Sequence, residues 1–183
     1  NTTYDAVNTT KPYYRAGHVW IYRKDSGYNI SDWNSPDLRK GVIGIVDKSP
    51  VSVALHANDL MANAKPYRLM RDLTKSPGQL VDHVVSGEID VAVMWGPIGG
   101  YYAKQSKEDL VVVLIPEYSD GNEKLTGKTY WNISAGVRKR EDERRDMIEA
   151  AFVRNKDKIR KIMDDFGVPY AEPVFADRLD GYK

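Results

Sequence analysis

Chemistry in this chain would have to come from three histidines and twenty-six carboxylates, because there is no cysteine. Without cysteine there is no thiolate nucleophile, no disulfide and no cysteine-ligated zinc. His18, His56 and His83 lie far apart and no HExxH stretch occurs, so no metal ligands are assigned. Asp164 and Asp165 are neighbours on a helical pattern; adjacent positions point apart and make a poor acid–base dyad. Ser49, Ser86 and Ser134 lack the frame of a nucleophile elbow, and no GxxxxGK[ST] phosphate loop is present. The reading is a non-enzyme with no catalytic residue and no cofactor. Recognition is the remaining chemistry, and 12 Tyr with 4 Trp supply rings for it.

The stretch that would position such a ring is residues 87–102. Residues 89–94 form a short, almost wholly apolar run bounded by Gly87 and by Gly96-Pro97. A strand covered on both faces by helices looks like this. Trp95 falls just past its carboxyl end, where open α/β sheets hold ligands. Pro97 suits the first turn of a helix, whose free N–H groups would face the same cleft. Trp95 packing inertly beside a core strand is the plainer alternative.

The neighbouring segments repeat the pattern. Residues 18–23 are aromatic and β-branched enough for a strand. Residues 24–40 are turn-rich, with Asp32 and Asp37 placed for short capped turns. Residues 42–46 read as a buried strand, followed by a helix over 51–61 with Ser49 as N-cap and Pro50 in its first turn. A weak strand is expected over 67–70. Ser76 and Gln79 have capping-box spacing and open a helix that ends at Gly87. Residues 110–115 are a further strand, stopped by Pro116, and residues 130–137 return as another. Strand–helix alternation on this scale predicts a doubly wound α/β layer.

Downstream, Met147, Ile148, Ala151 and Phe152 share a helical side, and Ile159, Ile162, Met163 and Phe166 recur at helical spacing. Core packing is the expectation for both stripes. The charged run 138–146 reads as a solvated helix start, Trp20 and Trp33 as packing residues, and His56 as a surface histidine. The tail from Tyr170 carries two apolar anchors, Val174 and Phe175.

A net charge of +1 gives no field for nucleic acid, and no apolar run is long enough to span a membrane. The first residue is Asn, so a processed or partial product is expected, its leader unread.

Two further stretches complete a resemblance. Lys11-Pro12-Tyr13-Tyr14-Arg15 with Val19-Trp20-Ile21-Tyr22-Arg23 is similar to a lobe-crossing strand of periplasmic solute-binding proteins. Residues 87–97 with Gly100-Tyr101-Tyr102-Ala103-Lys104, and then residues 133–139 and Asp165-Phe166-Gly167-Val168-Pro169, resemble the MxaJ/XoxJ family. That family is the binding-protein-like component of methanol dehydrogenase systems that use pyrroloquinoline quinone (PQQ). The resemblance covers about residues 4–169, and an XoxJ-like member is the closer choice.

The resemblance implies a type II periplasmic-binding-protein-like α/β fold: one largely complete lobe with a parallel-rich sheet and flanking helices, the other lobe mostly absent from this chain. Residues 1–23 would be a remnant of the first lobe and the first crossing strand. Residues 24–130 would be the second lobe, and 131–183 the return crossing, terminal helices and tail. Trp95, Gly96, Tyr101, Ser49, Tyr13, Arg15 and Trp131 would line the interlobe cleft, with Arg15, Val19, Ser134 and Gly136 at the hinge. Tyr13, Tyr14, Arg15 and Trp131 stay open between hinge packing and cleft contact.

Amino-acid-binding relatives carry Gly-Thr after the first strand of this lobe, where the chain has Asp47-Lys48-Ser49-Pro50; Asp47 would repel an anionic ligand. The expected function is therefore that of a monomeric periplasmic accessory factor. Its partner would be the large subunit of a quinoprotein methanol dehydrogenase, lanthanide-dependent forms included, with the enzyme's cytochrome as a further candidate. Its action would be to assist activation or maturation by contact through the cleft. The alternative is a solute receptor of an ABC transporter for a small molecule.

Overall fold

The computed structural model describes residues 7–69, 74–116 and 129–173. Its spine is β2 (Tyr14–Arg23), a ten-residue strand buried everywhere except at its two end residues. Residues 18–22 pair antiparallel with β5 (Val91–Trp95), and residues 19–23 pair antiparallel with β6 (Leu110–Leu114) on the other side. Residues 14–17 pair antiparallel with β7 (Tyr130–Ile133). Beyond β5, the strands β3 (Ile43–Val46) and β4 (Ala64–Tyr67) run parallel to it. The sheet order is β4-β3-β5-β2-β6, with β7 branching from β2. It is a mixed sheet: β3, β4 and β5 pair in parallel, and β2 runs antiparallel to all three of its neighbours, β5, β6 and β7.

Both faces are covered, as the apolar runs require. Trp20 and Tyr22 of β2 and Val91 and Val93 of β5 alternate onto one face, with Ile43, Ile45, Trp33 and Leu38. Helix α1 (Val51–Ala57) seals that face with Val51, Ala54 and Leu55. Val19, Ile21, Ala92 and Met94 point to the opposite face. There they meet Leu80, Val81 and Val84 of α2 (Gln79–Ser86) and Ala103 of α3 (Gly96–Gln105). Trp20 and Trp33 are fully buried and pack edge to face, with ring centroids 5.2 Å apart. A second, two-stranded sheet pairs β1 (Val7–Thr9) with β8 (Gly136–Arg138). It is joined by α4 (Asp142–Arg154) and α5 (Lys156–Asp165).

Several boundaries differ from expectation, each for a local reason. The strand expected over 67–70 lies earlier, because it is Ala64 to Tyr67 that match β3 in parallel register. Pro66 cannot donate a ladder bond, and β4 is an edge strand. Met70, the end of the expected strand, is outside the described residues, as are Val174 and Phe175. The strand expected over 130–137 breaks in two because its partner changes from β2 to β1. Thr10 holds the break, donating its N–H to Ala135 O and accepting the Ala135 N–H on Oγ1.

Ser49 does not cap α1 with its hydroxyl; its carbonyl instead accepts both the N–H and the hydroxyl of Ser52. The Ser76–Gln79 capping box does not close either. Ser76 Oγ accepts from Gly78 N, and Gln79 opens the helix itself, one residue after the N-cap Gly78, too early to reach back. At the other end Gly87 adopts φ 76° and Glu88 N donates to His83 O, a left-handed stop that favours glycine. The two terminal stripes are not core. No residue of α4 is buried and only Met163 of α5 is, while Met147, Ile162 and Phe166 stand 66%, 57% and 52% exposed. Half of the second stripe turns toward α4, and the rest faces outward.

Trp33→Ala would remove a fully buried indole that neighbouring rings cannot replace. A loss of about 3–5 kcal/mol is expected, seen as a lower urea midpoint with an unchanged slope.

Candidate functional site

The carboxyl ends of β3 and β5 lie side by side, and β2 enters the six-stranded sheet at the same edge. Three rings gather there. His18 stands opposite Trp95 in the β2–β5 register, and Ala16, two residues earlier on the same side of β2, stands opposite Trp131. The centroid distances are 5.4 Å for His18–Trp95, 5.7 Å for His18–Trp131 and 5.4 Å for Trp95–Trp131, all edge to face. Both indoles are half-buried, whereas His18 is buried.

His18 is fixed in three ways. Its N–H and its ring Nδ1 both engage Thr129 O, at 3.1 and 3.2 Å, and its carbonyl accepts from Ile115 N. With Nδ1 assigned as the protonated nitrogen, the imidazole donates to that carbonyl. Burial pushes its pKa below the ordinary value, with the Thr129 bond opposing in part. The corner is therefore a neutral, aromatic surface. Sequence reasoning left His18 unassigned, and only the β2–β5 register reveals it.

The remaining expected residues divide. Gly96 follows Trp95 and opens α3; a Cβ there would lie 2.6 Å from Gly17 O and 3.1 Å from Pro169, so only glycine fits. Ser49 sits beyond β3 on the loop into α1, the helix that covers the face carrying the aromatic corner. Its Oγ is buried with no hydrogen-bond partner among the described residues. Tyr101 is carried by α3 to the opposite face, where its ring meets Tyr102 and stacks on Phe166 at 6.1 Å. It does not join the corner.

Tyr13 is placed elsewhere again, stacked on Phe152 at 4.3 Å. It lines a cavity of about 310 Å³ between residues 11–14, α4, α5 and residues 170–173. Met163 and Ile159 face that cavity, and Lys11–Glu149 and Arg160–Glu172 ion pairs stand among its lining residues. Arg15 is buried at the β2–β7 crossing, bonded to Asn132 Oδ1 and lying over the Tyr130 ring. Ser134 lies in the break between β7 and β8, and Gly136 is exposed in β8. Val19, expected at the hinge, is instead inside the sheet, flanked by Met94 and Leu114. Pairing on both sides leaves it no freedom to bend. Among the described residues no cluster of three metal-ligating side chains occurs, and no helix is long and apolar enough to cross a membrane.

Comparison with known proteins agrees with this architecture. No protein-family model matches the chain. Protein MoxJ of Methylorubrum extorquens is 27% identical over 173 residues, which covers 89% of the chain. The chain spans 58% of that relative's length. Among solved structures, MxaJ from Methlophaga aminisulfidivorans MPT is 29% identical with a TM-score of 0.75, covering 93% of this chain and 74% of that one. The periplasmic binding protein XoxJ from Methylobacterium extorquens AM1 has a TM-score of 0.73 at 21% identity, covering 92% and 74%, a likeness of fold. The fold is thus of the periplasmic-binding-protein-like class. Within that class, sequence relatives named MoxJ and the structural neighbour MxaJ support the likeness to the MxaJ/XoxJ family.

The neutral His18 makes a sign prediction. Its folded pKa lies below the ordinary 6.5, so as pH falls through that value the unfolded chain takes up protons that the folded chain refuses. Stability should decline as pH drops below about 6.5, and urea midpoints should record it. His18→Gln should flatten that segment of the curve. Glu88 and Asp37 are held below their usual range by hydrogen bonds from Lys65 and Lys40, so they act only at lower pH.

Proposed function

We propose that this chain is a non-enzymatic, periplasmic accessory component of a PQQ-dependent methanol dehydrogenase system, of the XoxJ-like kind. It would act by touching the quinoprotein's large subunit, with the cytochrome as a second candidate, and so assist activation or maturation. The observation that carries this reading is the Trp95–Trp131–His18 corner. Half-buried indoles on a rigid sheet edge, beside a neutral imidazole, suit contact with an apolar or aromatic protein segment. Names of the relatives supply the system: MoxJ, MxaJ and XoxJ.

In the proposed organisation, the six-stranded sheet with α1 to α3 is one lobe of a two-lobe protein. The β1–β8 pair, α4 and α5 belong to the other lobe, and their half-exposed apolar stripes pack there. Arg15 and Ser134, at the crossing, serve as hinge residues. The protein acts as a monomer.

Pull-down of the purified dehydrogenase tests the contact. Trp95→Ala should weaken it by at least about tenfold, with the fold intact by circular dichroism. No association in either the apo or the quinone-loaded enzyme would remove the proposal.

A small-molecule receptor is the second reading, favoured by the buried Ser49 hydroxyl that has no partner among the described residues. It expects a ligand that raises Tm in a thermal-shift screen of amino acids, alcohols and quinones. Stabilisation would be about 3 kcal/mol at a hundredfold excess over Kd, and Ser49→Ala should reduce it.

A further inference from the structure

At the outer edge of the sheet four side chains close a ring. Lys65 and Tyr67 stand two residues apart on β4 and so share one of its faces. His83 comes from α2, and Glu88 follows the Gly87 stop of that helix. Tyr67 Oη lies 2.7 Å from His83 Nδ1, and His83 Nδ1 lies 3.1 Å from Glu88 Oε2. Lys65 Nζ donates to Glu88 Oε1 at 2.5 Å and lies 5.7 Å from the centre of the Tyr67 ring, which completes the circuit. Among the described residues, Lys65 and Tyr67 from β4 and Glu88 beyond α2 are the titratable and charged groups that face the imidazole. Asp82, its neighbour on α2, points away by the helical turn.

The circuit contains a conflict. Two partners address a single nitrogen and require opposite things of it. A phenol O–H donates and needs Nδ1 bare; a carboxylate only accepts and needs Nδ1 protonated. Both partners keep their character over the range in which an imidazole titrates. Burial pushes the Tyr67 phenol up, so it remains an O–H. The hydrogen bond from Lys65 holds the Glu88 carboxyl below its usual range, so it remains an anion. The proton on His83 therefore decides between them. Neutral, with that proton on Nε2, the ring accepts from Tyr67, the shorter of the two contacts. Charged, its Nδ1–H favours Glu88, because a charge-assisted bond outweighs one to a neutral phenol oxygen.

Tyr67 gives this choice a structural consequence. Its carbonyl accepts from Asp47 N at 2.9 Å and from Leu69 N at 3.0 Å, so it holds the turn that leaves β3 toward Ser49 and α1. Its strand has four residues and lies at the sheet edge, and Pro66 beside it cannot donate. Tyr67 is also buried, so its hydroxyl has little water to turn to once the imidazole is withdrawn.

We propose that His83 is a proton-operated switch between two partners: neutral, it ties α2 to Tyr67 of the edge strand, and charged, it turns to Glu88 and lets that tie go. Acidification through the imidazole range then loosens Tyr67 and, through its carbonyl, the Asp47 and Leu69 amides. The Lys65–Glu88 pair persists in both states, so β4 stays in the sheet. The proposal is independent of what the Trp95 corner binds.

Imidazole nitrogen spectra of the full chain test it at about pH 8 and about pH 5, either side of the ordinary histidine value. His83→Gln identifies the His83 signals by their loss. At the higher pH, Nδ1 should read as a bare acceptor with the proton on Nε2. Tyr67→Phe should move that proton to Nδ1, since Glu88 alone is then left to address it. Protection of the Asp47 and Leu69 amides against hydrogen exchange should fall about fivefold between the two pH values, the worth of one hydrogen bond. In His83→Gln that extra fall should vanish; His18 is common to both chains, so the comparison isolates His83. An Nδ1 that already carries its proton at the higher pH has no partner to exchange, and that result overturns the switch whether or not the variants fold. An equal fall at Asp47 and Leu69 in the unaltered chain and in His83→Gln overturns it as well.

Discussion

Every backbone donor and acceptor of a buried strand has to be paired, and β2 meets that requirement by changing partners along its length. Its outer end is held by β7 on one side and by Ala171 at Arg15; its inner end lies between β5 and β6. The handover falls at Gly17 and His18. A Cβ on Gly17 would lie 2.7 Å from the Tyr130 ring, and Gly17 O abuts Gly96. His18 then takes Thr129 O with both its amide and its ring. The handover needs a residue without a side chain and next to it one with a polar ring, and the sequence provides them in that order.

From this arrangement the rest is placed. The three parallel strands end at the edge where β2 arrives, so the residues beyond them converge there without a dedicated loop. Trp95 sits on the last pleat of β5, and α3 departs at once toward the opposite face. Nothing from α3 therefore folds back over the indole. Half-exposure of Trp95 is thus a consequence of chain direction, set by Gly96 and by Pro97 inside the first turn.

Much of the fold was legible because its strands are apolar runs with hard stops. β3, β5 and β6 and the start of α3 are marked by Val and Ile between Gly and Pro, and Gly87 marks the end of α2. What was not legible depends on pairing. Tyr130 to Val137 reads as one strand until its partners are known, and β4 is fixed by register with β3. The candidate site suffered the same way. Trp95 and Trp131 are ring neighbours with Gly96 alongside, yet Tyr101 goes to the other face and Tyr13 to the far cavity. His18 enters from a position that sequence spacing gave no reason to choose. A cross-strand neighbour lies dozens of residues away, and no local periodicity encodes it. The stripes on α4 and α5 were legible as stripes, but the area they bury in this structure is set by what lies opposite, which periodicity does not specify.

The chemistry of the corner follows from its dryness. An imidazole whose charged form is disfavoured by burial is a weak base, and its Nδ1 is committed to Thr129 O. Indoles neither gain nor lose a proton at useful pH. Such a trio offers large, rigid ring area at little entropic cost on ordering. Charging His18 would reverse this by placing a poorly solvated cation beside the two indoles, which burial disfavours. The same burial that makes the corner apolar therefore favours the neutral state of one histidine, and the stability of the handover at Gly17 depends on that state.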